Sequence, residues 1–459
     1  MLTIALLVPA FLIITRHDRQ LLAWVCFTIS VQLFNTTIIT NLPAARLTGL
    51  LLLPRMIQLL PIVSRTLPGR ALIIQYGYLI FLGILFGFIF PWPDFGVVRM
   101  FNQSAPGRAS IYLVRTAADI SLAFFVAQQL VKLKRPDIII RYILVGTSVA
   151  ALAGVLEYIT HFDFYGAITG LRAYSTEFRM RGFNFEPRAL GLIAVYGMLL
   201  SLVLYSRRHS WRLLALIGLH AVALFLASST SAIIVFAVAA TALFVFDRRY
   251  RTTTFILLVL LGLALGGLVV SQSQYLLRFE ENARQRLTTD RIEDQPETLV
   301  ENIALRIDVL DGPPLLFLVS NPWYLLFGTG PGLVSLPAQA YIPDYAYLER
   351  IREAGVNTPP TSGGLLEVSN AGIIGLMLWF IICLSSLKAF NYLAKRGKPE
   401  DGFWAIGRSA FIVAAACYLA QNTVAAIWPV FLGSGIGAAY LVRLYRSGSI
   451  GDNTKSKMH

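Results

Sequence analysis

The amino-acid sequence predicts an all-α polytopic integral membrane protein of about 12–13 transmembrane helices, with one long extracytoplasmic loop carrying short interfacial helices. Three observations lead there. Of 459 residues, 56% are apolar and 14% charged, against roughly 25% charged in an average soluble domain. The mean hydropathy is +0.65. The apolar residues gather into runs near the length of about 20 that a helix needs to cross a hydrocarbon core. Together these exclude a disordered chain, a disulfide scaffold and an ordinary multidomain soluble enzyme.

The runs lie at 2–15, 21–40, 47–63, 71–91, 109–131, 138–160, 188–206, 211–227, 229–246, 252–271, 363–387, 403–420 and 424–442. The first is short and opens as LTIALLVPAFLIIT, with no basic region and no small-residue cleavage site. It reads as a retained membrane segment, not a signal peptide. The third holds Pro54, Arg55 and Pro61, so a partial or re-entrant segment fits as well as a span. Basic clusters set the orientation. Lys132, Lys134, Arg135 and Arg141 flank one loop, and Arg207, Arg208 and Arg212 the next but one. Arg248, Arg249 and Arg251 follow, then Lys388, Lys395, Arg396, Lys398 and Arg408, then Arg443, Arg446, Lys455 and Lys457. These loops alternate with the others, which places them and the C-terminus in the cytoplasm. The net charge of +14 is thus a membrane signature and does not point to nucleic acid.

The chain divides into an N-terminal bundle (1–271) with an outer loop at 161–187, a large extracytoplasmic loop (272–358), C-terminal spans (359–442) and a tail (443–459). The large loop carries seven Arg and no Lys against twelve Asp or Glu, a local balance of −5. Loops of that length usually have a function. Within it, Tyr275–Gln285 and Glu297–Val309 mix charged and apolar residues at helical spacing and read as interfacial helices. The apolar run Pro314–Phe327 is interrupted by Asn321-Pro322 and is too short to span.

Candidate site residues concentrate on the outer side. Arg172, Arg179, Arg181 and Arg188 interleave with Glu177 and Glu186 in 161–188. Arginines there run against the positive-inside bias, and a planar guanidinium grips phosphate bidentately where an ammonium cannot. A belt facing lipid headgroups, or ion pairs bracing the loop, explains them equally simply. Pro187 suits the first turn of the following helix, whose N-terminus then adds a field favourable to an anion. Arg306, near Asp308 and Asp311, is a second phosphate contact or a local ion pair. Arg115 and Asp119, four residues apart, share a helix face and suit an ion pair. Glu157 and Glu367 sit near the outer ends of their spans and suit the lining of a cavity, as do Arg115 and Asp119. The hydroxyls of Ser228–Ser231 suit a helix cap. FGTGPGLVSLP (Phe327–Pro337) is glycine-rich, but no Gly-Lys-Ser/Thr follows, so it is not a nucleotide loop. The five His and three Cys show no metal-ligand spacing, and no cofactor is expected.

The order of these features resembles the O-antigen polymerase and O-antigen ligase superfamily of bacterial envelope polysaccharide assembly. RMRGFNFEPRALG is followed by SSTSA, then by a long loop with an arginine and GTGPG, then by NAGIIGL at the start of a span. The resemblance covers roughly residues 170–380. It implies a metal-independent glycosyltransferase at the periplasmic face of the inner membrane, taking undecaprenyl diphosphate-linked glycans as donor and acceptor. A chain-length regulator and a lipid-sugar flippase are the partners it implies. By position it carries the loop arginine onto Arg181 and the later one onto Arg306. Ligases have a histidine after the glycine-rich turn. Here the stretch reads TPPTSGG and 272–358 holds no histidine, which favours a polymerase over a ligase transferring glycan to lipid A core. On this reading arginines stabilise charge on the departing diphosphate, and Glu186, Glu177 or Asp308 is the base for the acceptor hydroxyl. A transporter or flippase of a lipid-linked sugar is the alternative of another class; the absence of an internal repeat weighs against it.

Overall fold

The computed structural model describes residues 2–34, 43–92, 104–170, 180–247 with 250, 311–341, 360–396, 402–421 and 427–448. Among them there is no strand. In chain order the helices are α1 (Leu2–Ile14), α2 (Asp18–Ser30), α3 (Ala44–Leu51), α4 (Leu53–Val63), α5 (Leu67–Ile84), α6 (Ala105–Leu133), α7 (Pro136–Thr160), α8 (Phe164–Thr169) and α9 (Pro187–Tyr205). Then come α10 (Trp211–Leu226), α11 (Thr230–Phe246), α12 (Gly312–Ser320), α13 (Pro322–Phe327), α14 (Ser335–Ala338), α15 (Gly363–Arg396), α16 (Phe403–Ala420) and α17 (Ile427–Arg446).

Seven described helices are long and apolar enough to cross a membrane, and eight if the bent pair α3–α4 counts as one span. This is a multi-pass helical membrane protein. The expected 12–13 spans exceed what the described helices reach, and the particulars show why. Helices α1, α10 and α11 are apolar but shorter than a full crossing. In the expected run 21–40, α2 ends at Ser30, where Val31 turns extended. A short 3-10 turn follows at Gln32–Phe34, whose Gln32 side chain accepts a hydrogen bond from the Phe185 N–H at 3.1 Å; residues 35–40 lie outside the described residues. The run 47–63 is bent by 73° between α3 and α4, where Pro54, lacking an N–H, starts a new helix. The run 252–271 and the two interfacial helices lie outside the described residues. Pro314–Phe327 divides into α12 and α13 at Asn321, as its Asn-Pro suggested.

Packing follows residue size. Gly433 and Gly437 of α17 lie against the backbone of Ala123 and Ala127 of α6, so close that a Cβ at Gly433 would meet the Ala123 carbonyl at 2.3 Å. Such small-residue seams let membrane helices approach without a hydrophobic driving force between them. Helix α9 is buried along nearly its whole length and forms the centre of the bundle. The three cysteines, Cys26, Cys383 and Cys417, are buried thiols.

The two ends of the bundle differ. One carries the basic turns: Arg55 and Lys132 pair with Asp18, Arg135 with Asp137, and Arg408 with Asp247. At the other end α7 finishes while α6, α9, α15 and α17 begin, and there the long connections 161–186 and 311–362 attach.

Candidate functional site

Two constellations occupy that second end. The first is built around Arg181. Its side chain is 2% exposed and pairs bidentately with Asp163, Nε to Oδ1 at 3.0 Å and Nη2 to Oδ2 at 2.5 Å. Nη1 donates to the Phe185 carbonyl at 3.3 Å, and the guanidinium lies over the Tyr165 ring, 4.9 Å from its centroid. Asp163 also caps α8, accepting from the Gly166 N–H at 2.9 Å. Burial works to raise the Asp163 carboxyl, but the Arg181 and Gly166 hydrogen bonds outweigh it and hold that group below its ordinary range. Glu157, at the end of α7, accepts the backbone N–H of Arg181 at 3.0 Å and that of Gly182. Gly182 has a φ of +56° and presses on the α7 backbone, where a Cβ would lie 2.8 Å from the Gly154 nitrogen. Everything here fastens the loop to α7 and α8. Arg181 is a clamp whose donors face protein.

Around it, Glu186 is half-buried at the N-cap of α9 without a capping hydrogen bond from its side chain. Arg188 stands half-buried in the first turn of that helix, which Pro187 opens. The Ser229 hydroxyl caps α11 through the Ala232 N–H at 3.4 Å. Arg172, Glu177, Arg179, Arg306 and Asp308 lie outside the described residues.

The second constellation is a polar layer across α3, α5, α6, α15 and α16. Helix α6 supplies Arg108, Tyr112, Arg115 and Asp119, at spacings of four, three and four that share one face. The expected Arg115–Asp119 pair does not form. Asp119 is taken by Arg46 of α3, through two hydrogen bonds of 2.9 and 2.8 Å. The physical reason is geometric: a fork-to-fork contact from another helix outcompetes an i, i+4 pair in its weaker polarity, with the base N-terminal to the acid. Arg115 has no ion pair or hydrogen bond among the described residues, and its Nε is buried without a partner. Glu367 of α15 accepts from Gln75 Nε2 at 2.7 Å and from the Tyr418 hydroxyl at 2.6 Å. Tyr112 lies within electrostatic reach of Glu367, Arg46, Asp119 and Arg115.

The glycine-rich loop docks on this layer. Helix α15 is broken at Gly372, whose φ of +64° and ψ of −167° only glycine adopts readily. The Leu326 carbonyl of α13 sits where a Cβ would be, 2.1 Å away. Thr329 N–H donates to the Ser369 carbonyl at 2.8 Å, and Gly330 N–H to the Asn370 carbonyl at 3.2 Å. Asn370 joins three elements: its Oδ1 accepts from Gly332 N–H at 2.9 Å, and its Nδ2 donates to the Tyr112 hydroxyl at 2.6 Å. Arg108 reaches the Ser335 hydroxyl at the start of α14. Asp311 binds the Thr361 hydroxyl at 2.8 Å and the N–H groups of Thr361 and Ser362, anchoring the start of α15. Beside the loop, an apolar groove of about 500 Å³ runs between α5, α13 and α15, lined by Tyr78, Phe81, Phe86, Trp323 and Ile374.

Of the residues singled out in the sequence, the structure gathers Arg115, Asp119 and Glu367 into one layer and places Arg181 with Glu157 in the clamp. Arg46, Gln75, Arg108, Tyr112, Asp163, Asn370 and Tyr418 were missed. The polar stripe on α6 was readable as a helical period; the cross-helix partners carried no local signal. Among the described residues no group of His, Cys, Asp and Glu is arranged to hold a metal ion. No protein-family model matches the chain, and no curated protein matches it.

Proposed function

We propose that the chain is a membrane glycosyltransferase, a polysaccharide polymerase that lengthens undecaprenyl diphosphate-linked oligosaccharide at the periplasmic face of the bacterial inner membrane. The observation that carries this reading is Arg115. It is an arginine inside a membrane helix that makes no ion pair among the described residues, on one face with Arg108 and Tyr112. Intramembrane charge is costly and is kept where a function uses it. A diphosphate is the ligand an arginine stripe suits, and the adjoining apolar groove suits the hydrocarbon of the same molecule. The ordering of RMRGF, SSTSA, GTGPG and NAGIIGL supports the same reading.

In this reaction the acceptor hydroxyl attacks the anomeric carbon of the donor as the bond to the diphosphate breaks. Arginines at the layer stabilise the charge on the departing oxygen. Holding both lipid-linked glycans in register supplies much of the remaining rate. The spans beyond those described, the cytoplasmic C-terminus and partnership with a flippase and a chain-length regulator belong to the same proposal. Arg306 and the arginines of 171–179 remain candidate diphosphate contacts within it.

The test is genetic and chemical together. In a strain that makes the polymer, Arg115→Ala and Arg306→Ala should leave single repeat units on lipid while long chains disappear. Polymer of normal length in both strains defeats the proposal. Loss of transfer to lipid A core, with polymer intact on its carrier, would indicate a ligase instead.

A further inference from the structure

Glu367 has a position that the proposed reaction does not yet explain. It is a carboxylate in the first turns of a membrane-crossing helix, and it makes no ion pair among the described residues. Its two oxygens take one donor each, an amide from α5 and a phenol from α16. Arg46, which acts on Tyr112 and Tyr418 in the same layer, is itself engaged bidentately by Asp119. Tyr418 is held in turn between Trp379 and Trp428, with ring centroids at 5.9 and 5.1 Å. From α6 the carboxylate faces Tyr112, and Arg115 and Asp119 lie on that same helix face. Two and three residues further along α15, Ser369 and Asn370 hold the glycine-rich loop.

This arrangement fixes a carboxylate in direction without consuming its charge. A structural carboxylate in a membrane is normally neutralised by a cation, as Asp119 is; one held only by neutral donors is suited to gaining and losing a proton. Neutral donors on both oxygens also keep the group oriented in either protonation state, because a carboxylic acid still accepts.

We infer that Glu367 is the general base of the polymerase reaction, with Gln75 and Tyr418 as its positioning residues. The inference rests on the function proposed above. In the step, the acceptor hydroxyl oxygen forms its bond to the anomeric carbon. The bond from that carbon to the diphosphate oxygen breaks, and the diphosphate leaves with the electron pair. The hydroxyl proton passes to the Glu367 carboxylate and from there to water. No oxidant, metal or further reactant is required.

The test uses the full chain reconstituted in liposomes with synthetic undecaprenyl diphosphate-linked oligosaccharide, with rates measured from about pH 5 to 9. The wild type should slow in acid, as the base becomes protonated. Glu367→Gln should lower kcat by about 100-fold or more while KM for the lipid-linked substrate stays within about twofold. Tyr418→Phe keeps the carboxylate but removes a donor that favours its charged form, so the acid limb should move to higher pH. If Glu367→Gln does not fold, judged by gel filtration and thermal unfolding, Tyr418→Phe alone decides. A Glu367→Gln enzyme with near-normal kcat, or an acid limb unmoved by Tyr418→Phe, overturns the inference and leaves the polymerase reading standing. A wild type that extends no glycan at any pH removes that reading itself.

Discussion

Arg181 and Arg115 are both arginines near the same end of one bundle, and they are in opposite states. Arg181 has an acid at 2.5 Å, a carbonyl at 3.3 Å and an aromatic ring beneath it. Arg115 has neither ion pair nor hydrogen bond among the described residues, because the acid four residues away belongs to Arg46. A guanidinium satisfied on every side contributes to the fold. One that is half-buried and unsatisfied is costly until something anionic arrives. Counting arginines on a surface therefore says little about binding. What separates a brace from a binding group is whether the protein itself supplies the acid.

Several substitutions test the two constellations, beginning with the one that undocks the glycine-rich loop from the second. Gly372→Ala puts a Cβ 2.1 Å from the Leu326 carbonyl at a φ of +64°. The strain alone is on the order of 1–3 kcal/mol, and with the clash we expect more than about 3 kcal/mol lost in thermal or denaturant unfolding in detergent. Next, Arg115→Met should cut polymer formation by about 100-fold or more while stability changes by less than about 0.5 kcal/mol or improves. A large stability loss without loss of activity would make Arg115 a brace like Arg181. Third, Arg181→Ala should destabilise by about 2 kcal/mol. Removing one partner of a buried pair costs about 3–5 kcal/mol, reduced here because the Asp163 side chain is 39% exposed. A double-mutant cycle with Asp163→Ala should show coupling, and normal stability of Arg181→Ala would end the distinction.

The smallest expected effect concerns pH. Asp163 is held below its ordinary range in the folded chain. Its contribution is therefore fully present above the unfolded value of about 3.9 and is lost as pH falls through the lower folded value. Asp163→Asn should flatten the loss of stability below about pH 4. A melting curve series with the same acid slope in both chains would show that the clamp carries no linked proton.

Much of the architecture was legible because membrane burial writes itself into composition. The runs 71–91, 109–131, 138–160 and 363–387 were found because lipid demands uninterrupted apolar length, and Pro54 and Pro322 marked breaks, whereas Pro61 lies inside α4. The number of crossings was less legible, since α10 and α11 are apolar helices too short to be told from buried segments by hydropathy. In the site, the α6 stripe obeys a local period and Arg115 with Asp119 fell on it. The partners across this layer come from 51 and more residues away, as with Tyr418 on Glu367 or Arg46 on Asp119. Nothing within a window of sequence encodes such choices. The arginine-rich outer loop was prominent for its composition, yet Arg181, onto which the resemblance carries the family's loop arginine, is clamped to Asp163, an acid that passed unnoticed eighteen residues upstream.

The burial of Cys26, Cys383 and Cys417 has a practical side. The natural thiols are shielded by neighbouring helices, so the wild-type chain should stay unmodified by a membrane-impermeant maleimide. The protein is then its own cysteine-free background. Thr160→Cys and His209→Cys, at exposed positions on opposite ends of the bundle, would report in intact cells which end meets the outside medium, with no native cysteine replaced.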